Sequence, residues 1–114
     1  MGTYHWMAPE IFNKDIKEPY TTKSDVYAFA IIMWEVFAEK TPYHEIGDYH
    51  KIVKYVYHED GRPNIKDIKD DIDDDIIELL EINWARDPKT RYEFREIIPI
   101  LNKLYSKSLK KEYI

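Results

Sequence analysis

The 114-residue sequence contains no cysteine and only three glycines. The lack of cysteine excludes disulfide bonds and thiolate metal sites, which is typical of cytosolic proteins. A secretory signal is also lacking, because residues 1–10 have neither a basic start nor a continuous apolar run. We therefore expect a soluble, cytoplasmic protein with no membrane partner.

The sequence also lacks an excess of positive charge. Its 17 Lys and Arg residues stand against 22 Asp and Glu residues, which gives a net charge of −5. Proteins that bind nucleic acids generally neutralise phosphates with a clustered basic surface. We therefore expect no nucleic-acid partner and predict a protein or peptide partner instead.

Strand patterns and common catalytic motifs are absent too. No useful length of sequence alternates polar with apolar residues, so the sequence predicts one all-α domain. We find no nucleophile elbow, phosphate-binding loop or dinucleotide fingerprint. The histidines lack the spacing of zinc ligands, so we expect no metal site. These histidines are His5, His44, His50 and His58. By themselves, these observations indicate a non-catalytic domain.

The most apolar stretch is DVYAFAIIMWEVFA, from Asp25 to Ala38. Its apolar side chains cover every side of a 3.6-residue helix, which predicts a helix buried all round. At 1.5 Å per residue it would be about 21 Å long, enough to cross a small domain but not a bilayer. Thr22 and Ser24 are suitable N-cap residues. We expect the rest of the chain to pack around this helix.

Three further helices are predicted by apolar residues at helical spacing. Asp48 would cap the first, and an Asp-rich run precedes the second. Thr90 and Glu93 have capping-box spacing ahead of the third, which would be kinked at Pro99. The apolar positions are Tyr49, Ile52, Val53 and Val56, then Ile72, Ile76, Leu79 and Leu80, then Phe94, Ile97, Ile98, Leu101 and Leu104.

The Asp-rich run extends from Asp67 to Asp75, where six of nine residues are aspartates. A helix N-terminus favours negative charge, so a solvated helix start is one interpretation. A cation site is the other, although the run lacks the glycine and the closing glutamate of a calcium loop. Further along, the domain is predicted to cover residues 1–105, and residues 106–114 are expected to be a basic tail that frays.

Three motifs, in order, resemble the lower lobe of a protein kinase. Gly2 to Glu10, GTYHWMAPE, resembles the end of the activation segment with its A-P-E marker. Tyr20 to Glu35, YTTKSDVYAFAIIMWE, resembles the central helix of that lobe, and Asn83 to Ile97, NWARDPKTRYEFREI, resembles its closing motif. On these motifs the chain is identified as a member of the protein kinase family. The resemblance points to the tyrosine-kinase-like group, which includes Raf-like and mixed-lineage kinases.

This resemblance implies the C-terminal part of a kinase lower lobe, from an enzyme that transfers the ATP γ-phosphoryl group to protein serine or threonine. The Gly-rich loop, the ATP-positioning lysine, the H-R-D loop and the D-F-G aspartate would precede Gly2 and do not occur in these 114 residues. We therefore expect no catalytic residue here and no cofactor bound by this chain alone. ATP and Mg²⁺ belong to the complete kinase domain, whose preceding part is an expected partner. The alternative is a truncated, pseudokinase-like interaction module.

Substrate contacts are also implied by the resemblance. Thr3 is similar to the threonine that hydrogen-bonds the catalytic aspartate and lysine in Ser/Thr kinases, and its alternative is a loop threonine that caps its own backbone. With Tyr4, Trp6 and Met7 it would form the floor under the substrate residue that follows the phosphoacceptor. Glu35 is similar to a glutamate that meets a basic substrate residue in some relatives. A structural hydrogen bond is equally compatible with Glu35.

Structural roles are implied for the A-P-E marker, which is Ala8, Pro9 and Glu10 in this chain. In the family its glutamate pairs with the arginine of the closing motif, which corresponds to Arg91. Arginine suits such a site because its planar fork can hold a carboxylate through two hydrogen bonds. We therefore predict a partly buried ion pair between Glu10 and Arg91.

Asp25 is similar to the helix-start aspartate that holds the catalytic loop through its backbone amides, and its alternative is a carboxylate favoured by the helix dipole. Trp84 and Trp34 are predicted to lie in the core, because both continue apolar helical stripes. The family elements that would cover the catalytic-loop side of the central helix precede Gly2. We therefore expect this chain to expose an apolar patch.

Overall fold

The computed structural model describes residues 2–68 and 72–112, with side chains for residues 4–68, 72–107 and 109. This part of the chain contains no β-strand, and the predicted all-α fold is confirmed. Its helices are α1 (Thr22–Ala38), α2 (Tyr49–Val53), α3 (Asp74–Asn83) and α4 (Phe94–Glu112). Short 3-10 turns lie in the loops at Gly2–Trp6, Pro9–Phe12, Ile65–Asp67 and Pro88–Thr90.

Helix α1 begins with a capping box. Thr21 is the N-cap, with extended backbone angles (φ −136°, ψ 177°), and its side chain accepts hydrogen bonds from the N–H groups of Lys23 and Ser24. The Thr21 N–H donates in return to the Ser24 hydroxyl at 2.7 Å. The prediction that Thr22 or Ser24 is the N-cap is therefore wrong, because an N-cap needs non-helical angles and Thr22 is already helical. The helix ends at Ala38, and its C-cap, Glu39, is left-handed (φ 55°).

One face of α1 forms the centre of the core. Tyr27, Ile31 and Trp34 are at most 1% exposed. They pack in one cluster with buried side chains from α3 and the flanking loops, namely Ala8, Ile68, Leu80 and Trp84. The opposite face is uncovered, since Ile32 is 46% exposed and Val36 is 66% exposed. The prediction of burial all round is thus wrong for this face, against which no described element packs closely enough to cover it, whereas the predicted exposed apolar patch is present here.

Two smaller clusters extend the core. Val26, Leu79 and Ile97 join α1, α3 and α4. Around α2 a separate cluster contains Tyr43, Ile52 and Val56. The predicted cap is confirmed, because the Asp48 side chain accepts from the Lys51 N–H at 2.9 Å. Helix α2 then continues as a π-helical turn over Lys54–His58, which the apolar spacing did not predict.

The start of α3 lies in the Asp-rich run. Asp73 is its N-cap and accepts from the Asp75 N–H at 2.9 Å. This supports the helix-start interpretation, because the carboxylate is hydrogen-bonded to the helix it begins. Asp70 and Asp71, which the prediction also included, lie outside the described residues.

The start of α4 differs from its prediction. Thr90 belongs to the preceding turn, and the Glu93 N–H donates to the Glu96 side chain at 2.9 Å. The predicted capping box of Thr90 and Glu93 is therefore wrong by one turn. Helix α4 continues through Pro99 and past residue 105 to Glu112, across the predicted domain boundary. In the described part of the chain, no helix is long and apolar enough to cross a bilayer.

Candidate functional site

The segment from Tyr4 to Glu10 lies against α1 and contains most of the predicted site residues. Ala8 is extended (φ −65°, ψ 152°), as expected for a residue before proline, and Pro9 begins the next 3-10 turn. Both residues are buried, and Ala8 belongs to the main core cluster. The A-P-E marker is therefore an anchor that fixes the end of this segment.

Glu10 and Arg91 form the predicted ion pair. The two terminal nitrogens of Arg91 donate to the two carboxylate oxygens of Glu10 at 2.7 and 2.9 Å. The side chain of Arg91 is 0% exposed and that of Glu10 is 10% exposed. Arg91 also donates to the carbonyls of Ala85 (2.9 Å), Lys23 (3.0 Å) and Arg86 (3.3 Å). Every N–H of the guanidinium is used, which compensates its burial.

Trp6 and Glu35 are joined by a hydrogen bond that fixes the middle of the segment. The indole N–H of Trp6 donates to one carboxylate oxygen of Glu35 at 3.1 Å, and both side chains are half-buried. Of the two interpretations of Glu35, the structural hydrogen bond is therefore present. The bond connects two residues that the family resemblance implies, separately, as substrate contacts.

Tyr4 contacts aromatic rings of its own turn and of α2. Its ring is stacked on His5 with centroids 4.4 Å apart, and it meets the edge of Tyr49 at 5.0 Å. Tyr4 also packs against the cluster around α2. The side chain of Thr3 lies outside the described residues, so its predicted role stays a prediction.

Asp25 lies in a groove between the segment and α1. The groove has a volume of about 530 Å³, and Asp25 is exposed within it. The Asp25 carboxylate has no hydrogen bond or ion pair to the residues that the structure describes. Most of its surroundings are apolar, and the lining side chains are those of Trp6, Met7, Ile11, Tyr20, Ser24, Ala28 and Ile32. Such a carboxylate can accept hydrogen bonds from a segment that enters the groove.

The two predicted core tryptophans are buried. Trp34 is 1% exposed and donates its indole N–H to the Asn64 carbonyl at 2.9 Å. Trp84 is 6% exposed and is the C-cap of α3. Their predicted core position is confirmed.

Three residues near Arg91 were missed by the sequence analysis. Asn83 is 2% exposed; its amide donates to the Leu79 carbonyl and its oxygen accepts from the Tyr92 N–H, both at 2.8 Å. The other two are Arg62 and Tyr27. The guanidinium groups of Arg62 and Arg91 both lie over the Tyr27 ring. Asn83 could not be found from spacing, and Gly61 and Pro63 indicate a turn but not the contact of Arg62 with Tyr27.

The Tyr27 phenol is fully buried beside the ion pair. Burial raises the pKa of Tyr27, and the positive charge of Arg62 opposes that effect. Tyr43 is also buried, and burial together with the neighbouring Tyr27 raises the pKa of its phenol. Neither hydroxyl has a hydrogen-bond partner of good geometry among the described residues, although the two side chains interact. Both phenols are therefore neutral at physiological pH.

One group of surface side chains has the residue types of metal ligands. Among the described residues, His44, Glu45 and Asp67 bring ligand-type atoms within 4.8 Å of one another. The ammonium of Lys40 lies 3.2 Å from Asp67, and His44 lies 3.2 Å from Glu45. These contacts already satisfy the carboxylates at the surface, so the group gives no support to a metal site.

The sequence was also compared with those of known proteins. The family profile described as "Protein tyrosine and serine/threonine kinase" matches residues 2–101. The human receptor-interacting serine/threonine-protein kinase 1 is 34% identical over 98% of this chain and 18% of its own length. The serine/threonine-protein kinase STY17 of Arabidopsis thaliana is 37% identical over 90% of the chain and 17% of its own length.

A third relative differs in the specificity that its name states. The dual specificity protein kinase shkD of Dictyostelium discoideum is 35% identical over 90% of the chain and 13% of its own length. The chain thus spans less than a fifth of the length of each of these three relatives.

Proposed function

Since this chain belongs to the protein kinase family, we propose that it is the substrate-binding part of a kinase lower lobe. The enzyme would transfer the γ-phosphoryl group of ATP to serine or threonine residues of proteins. The observation that carries this proposal is the Glu10–Arg91 fork, which holds the segment from Tyr4 to Glu10 against α1. The two serine/threonine-protein kinases named above support the reaction and the choice of acceptor.

A rigid floor for the substrate fits the chemistry of phosphoryl transfer. That reaction leaves little covalent work to the protein, so catalysis consists mainly of positioning and electrostatic stabilisation. Tyr4, Trp6 and Met7 would contact the substrate residue that follows the phosphoacceptor. One oxygen of Glu35 is held by Trp6, and we assign the other to a basic substrate side chain. Thr3 would contact the catalytic aspartate and lysine of the complete domain.

The groove at Asp25 is proposed to receive the preceding part of the kinase domain. The Asp25 carboxylate would accept hydrogen bonds from backbone N–H groups of the catalytic loop. That part would also supply the residues that hold ATP and Mg²⁺, because the 114 residues contain no D-F-G or H-R-D motif. The exposed side chains of Ile32 and Val36 support such a partner, since they extend the same apolar surface.

Extending the sequence upstream of Met1 tests the enzyme against its alternative. An open reading frame with H-R-D and D-F-G motifs would support the kinase, whereas an in-frame stop codon would support a truncated interaction module. The complete domain would then be assayed with radiolabelled ATP on Ser, Thr and Tyr peptides. We expect label on serine or threonine, as in the tyrosine-kinase-like group. Label on tyrosine alone would contradict the assignment of Thr3, and label on all three would match dual specificity.

A variant of the floor tests the substrate role in that complete domain. Met7→Arg should raise the KM for the peptide by about tenfold and leave the KM for ATP unchanged, because Met7 is a proposed substrate contact and the residues proposed to hold ATP are not among these 114 residues. Tyr105→Phe, at a side chain 65% exposed on α4, is the control. Equal effects of Met7→Arg on both KM values would contradict a substrate contact at Met7.

Calorimetric titration of the 114-residue chain with Mg-ATP tests whether ATP binding depends on the preceding part of the kinase domain. We expect no binding at sub-millimolar concentrations, because phosphoryl transfer needs positioned metal and phosphate ligands that this sequence does not contain. Sub-millimolar binding by a monomer would overturn this part of the proposal.

A further inference from the structure

A buried arginine, Arg91, and a half-buried one, Arg62, share one aromatic ring beside the Glu10–Arg91 pair. The guanidinium carbons of Arg62 and Arg91 lie 5.2 and 5.0 Å from the centre of the Tyr27 ring. Tyr27 is 0% exposed. Cation–π contacts strengthen when they are desolvated, but two positive charges near one buried ring also repel each other. The arrangement therefore requires each guanidinium to be held firmly by acceptors of its own.

Arg62 has such acceptors. Its Nε donates to the Trp84 carbonyl at 2.7 Å, and its terminal nitrogens donate to the Gly61 carbonyl at 2.6 Å and to Asp60 at 2.9 Å. Trp84 precedes Ala85, whose carbonyl accepts from Nε of Arg91 at 2.9 Å. The two arginines thus hold consecutive carbonyl groups at the end of α3, in addition to the ring that they share.

The turn that carries Arg62 has little freedom. Asp60 is left-handed (φ 54°), and a Cβ atom at Gly61 would lie 2.4 Å from the Tyr55 ring. The hydroxyl of Tyr55 donates to the Arg62 carbonyl at 3.2 Å. Because Gly61 is pressed against Tyr55 and Asp60 is strained, this turn directs Arg62 inward in one conformation.

We infer that Arg62 is a positioning residue for the segment from Tyr4 to Glu10, acting through Tyr27 and the Trp84–Ala85 carbonyls on Arg91. Loss of the Arg62 fork frees the Tyr27 ring and the end of α3, which are two of the contacts that orient Arg91. The position of Glu10 depends on Arg91, because the two are ion-paired. The position of Trp6 depends in turn on Glu10, because both belong to the segment from Tyr4 to Glu10. The contacts form one continuous physical path. The inference deepens the proposed function, since a substrate floor needs this segment in one position.

NMR of the 114-residue chain with Arg62→Lys tests the inference. Lysine keeps the positive charge but lacks Nε and the planar fork. We expect hydrogen exchange at the Arg91 guanidinium to accelerate by about five- to tenfold, in keeping with the loss of one desolvated cation–π contact. The Trp6 indole N–H resonance should shift as well.

Arg86→Lys is a matched control. Arg86 lies over a different ring, that of Tyr57, at 5.1 Å and donates to the Tyr57 carbonyl at 2.8 Å, which is the same chemistry at an exposed site. Its side chain also lies 3.8 Å from Asp60, and lysine keeps the positive charge of that contact. This control variant should leave both signals unchanged. If Arg62→Lys moves neither signal, or if both variants move them equally, the inference is wrong.

Asp60→Asn covers the case in which Arg62→Lys does not fold. Asp60 is exposed and holds only one terminal nitrogen of Arg62, so this variant should fold and accelerate Arg91 exchange about twofold. An altered Arg62 resonance with unchanged Arg91 exchange would also overturn the inference. These signals report on the isolated chain, so they are independent of whether the complete domain proves to be a kinase.

Discussion

The two faces of α1 have similar apolar side chains and opposite surroundings. Ile31 is 0% exposed and packs in the main core, whereas Ile32, the next residue, is 46% exposed and borders the groove at Asp25. Charged groups follow the same division, because Arg91 is fully buried with all its donors used and Asp25 is exposed without a described partner. The apolar character of a helix therefore does not show which of its faces is buried. The elements that pack against the helix decide that.

Removal of the buried arginine is expected to have the largest effect. Arg91→Ala leaves Glu10 and three carbonyls without their donor, and breaking a buried pair in this way costs about 3–5 kcal/mol of the free energy of unfolding. Arg86→Ala is the matched control, because that side chain is 47% exposed. Urea unfolding followed by circular dichroism would measure both. Equal midpoints for the two variants would contradict the stabilising role of the pair.

Neighbouring isoleucines on α1 test the two faces directly. Ile31→Ala opens a cavity in the main core and should lower the free energy of unfolding by about 2–5 kcal/mol. Ile32→Ala changes an exposed position and should cost less than about 1 kcal/mol. Thermal unfolding of both variants provides the measurement. Similar losses would mean that the Ile32 face is covered in solution.

Alkaline pH should destabilise the buried face through its phenols. The pKa values of Tyr27 and Tyr43 are raised in the fold by burial, so their stabilising contribution is complete below pH 10 and is lost as the pH rises above it. Each phenol should then remove about 1.4 kcal/mol per pH unit. Tyr43→Phe should weaken this dependence, and Tyr20→Phe, at a side chain 68% exposed, should not. A pH series of urea unfolding curves would show whether the slopes differ in this way.

A charge on the uncovered face should have the smallest effect on stability but a visible effect on association. Val36 is 66% exposed, so Val36→Lys should change the free energy of unfolding by less than about 0.5 kcal/mol. If the apolar face drives self-association, sedimentation should show fewer oligomers for this variant. Lys54→Glu, on the exposed surface of the turn after α2, is the control. An unchanged distribution of oligomers would exclude the Val36 face as the contact.

Much of the local structure could be predicted from the sequence. Helix α2 begins with the predicted cap, Asp48, and α3 begins in the predicted Asp-rich run, where Asp73 is the cap; both side chains accept from N–H groups within three residues. The predictions that failed depend on backbone angles or on distant neighbours. Thr21, Thr22 and Ser24 are all chemically suitable caps, and only the extended angles of Thr21 distinguish it.

The candidate site likewise contains one contact that could be predicted from the sequence and one that could not. The Glu10–Arg91 pair was predicted because a family motif supplied both partners, although they are 81 positions apart. Arg62 was missed, because nothing in its spacing indicates that it shares the ring of Tyr27 with Arg91. Contacts of that kind depend on the path of the loops, which periodicity does not report.

The sequence by itself determined the approximate helix positions, the aspartate cap of α2 and the family motifs, because these depend on residues close together in the chain. Only the tertiary structure decided which face of α1 is buried, which oxygen of Glu35 is occupied by Trp6 and which ring the two arginines share. The physical reason is range. Helical periodicity and capping act within a few residues, whereas burial and desolvated charge contacts depend on where distant segments meet.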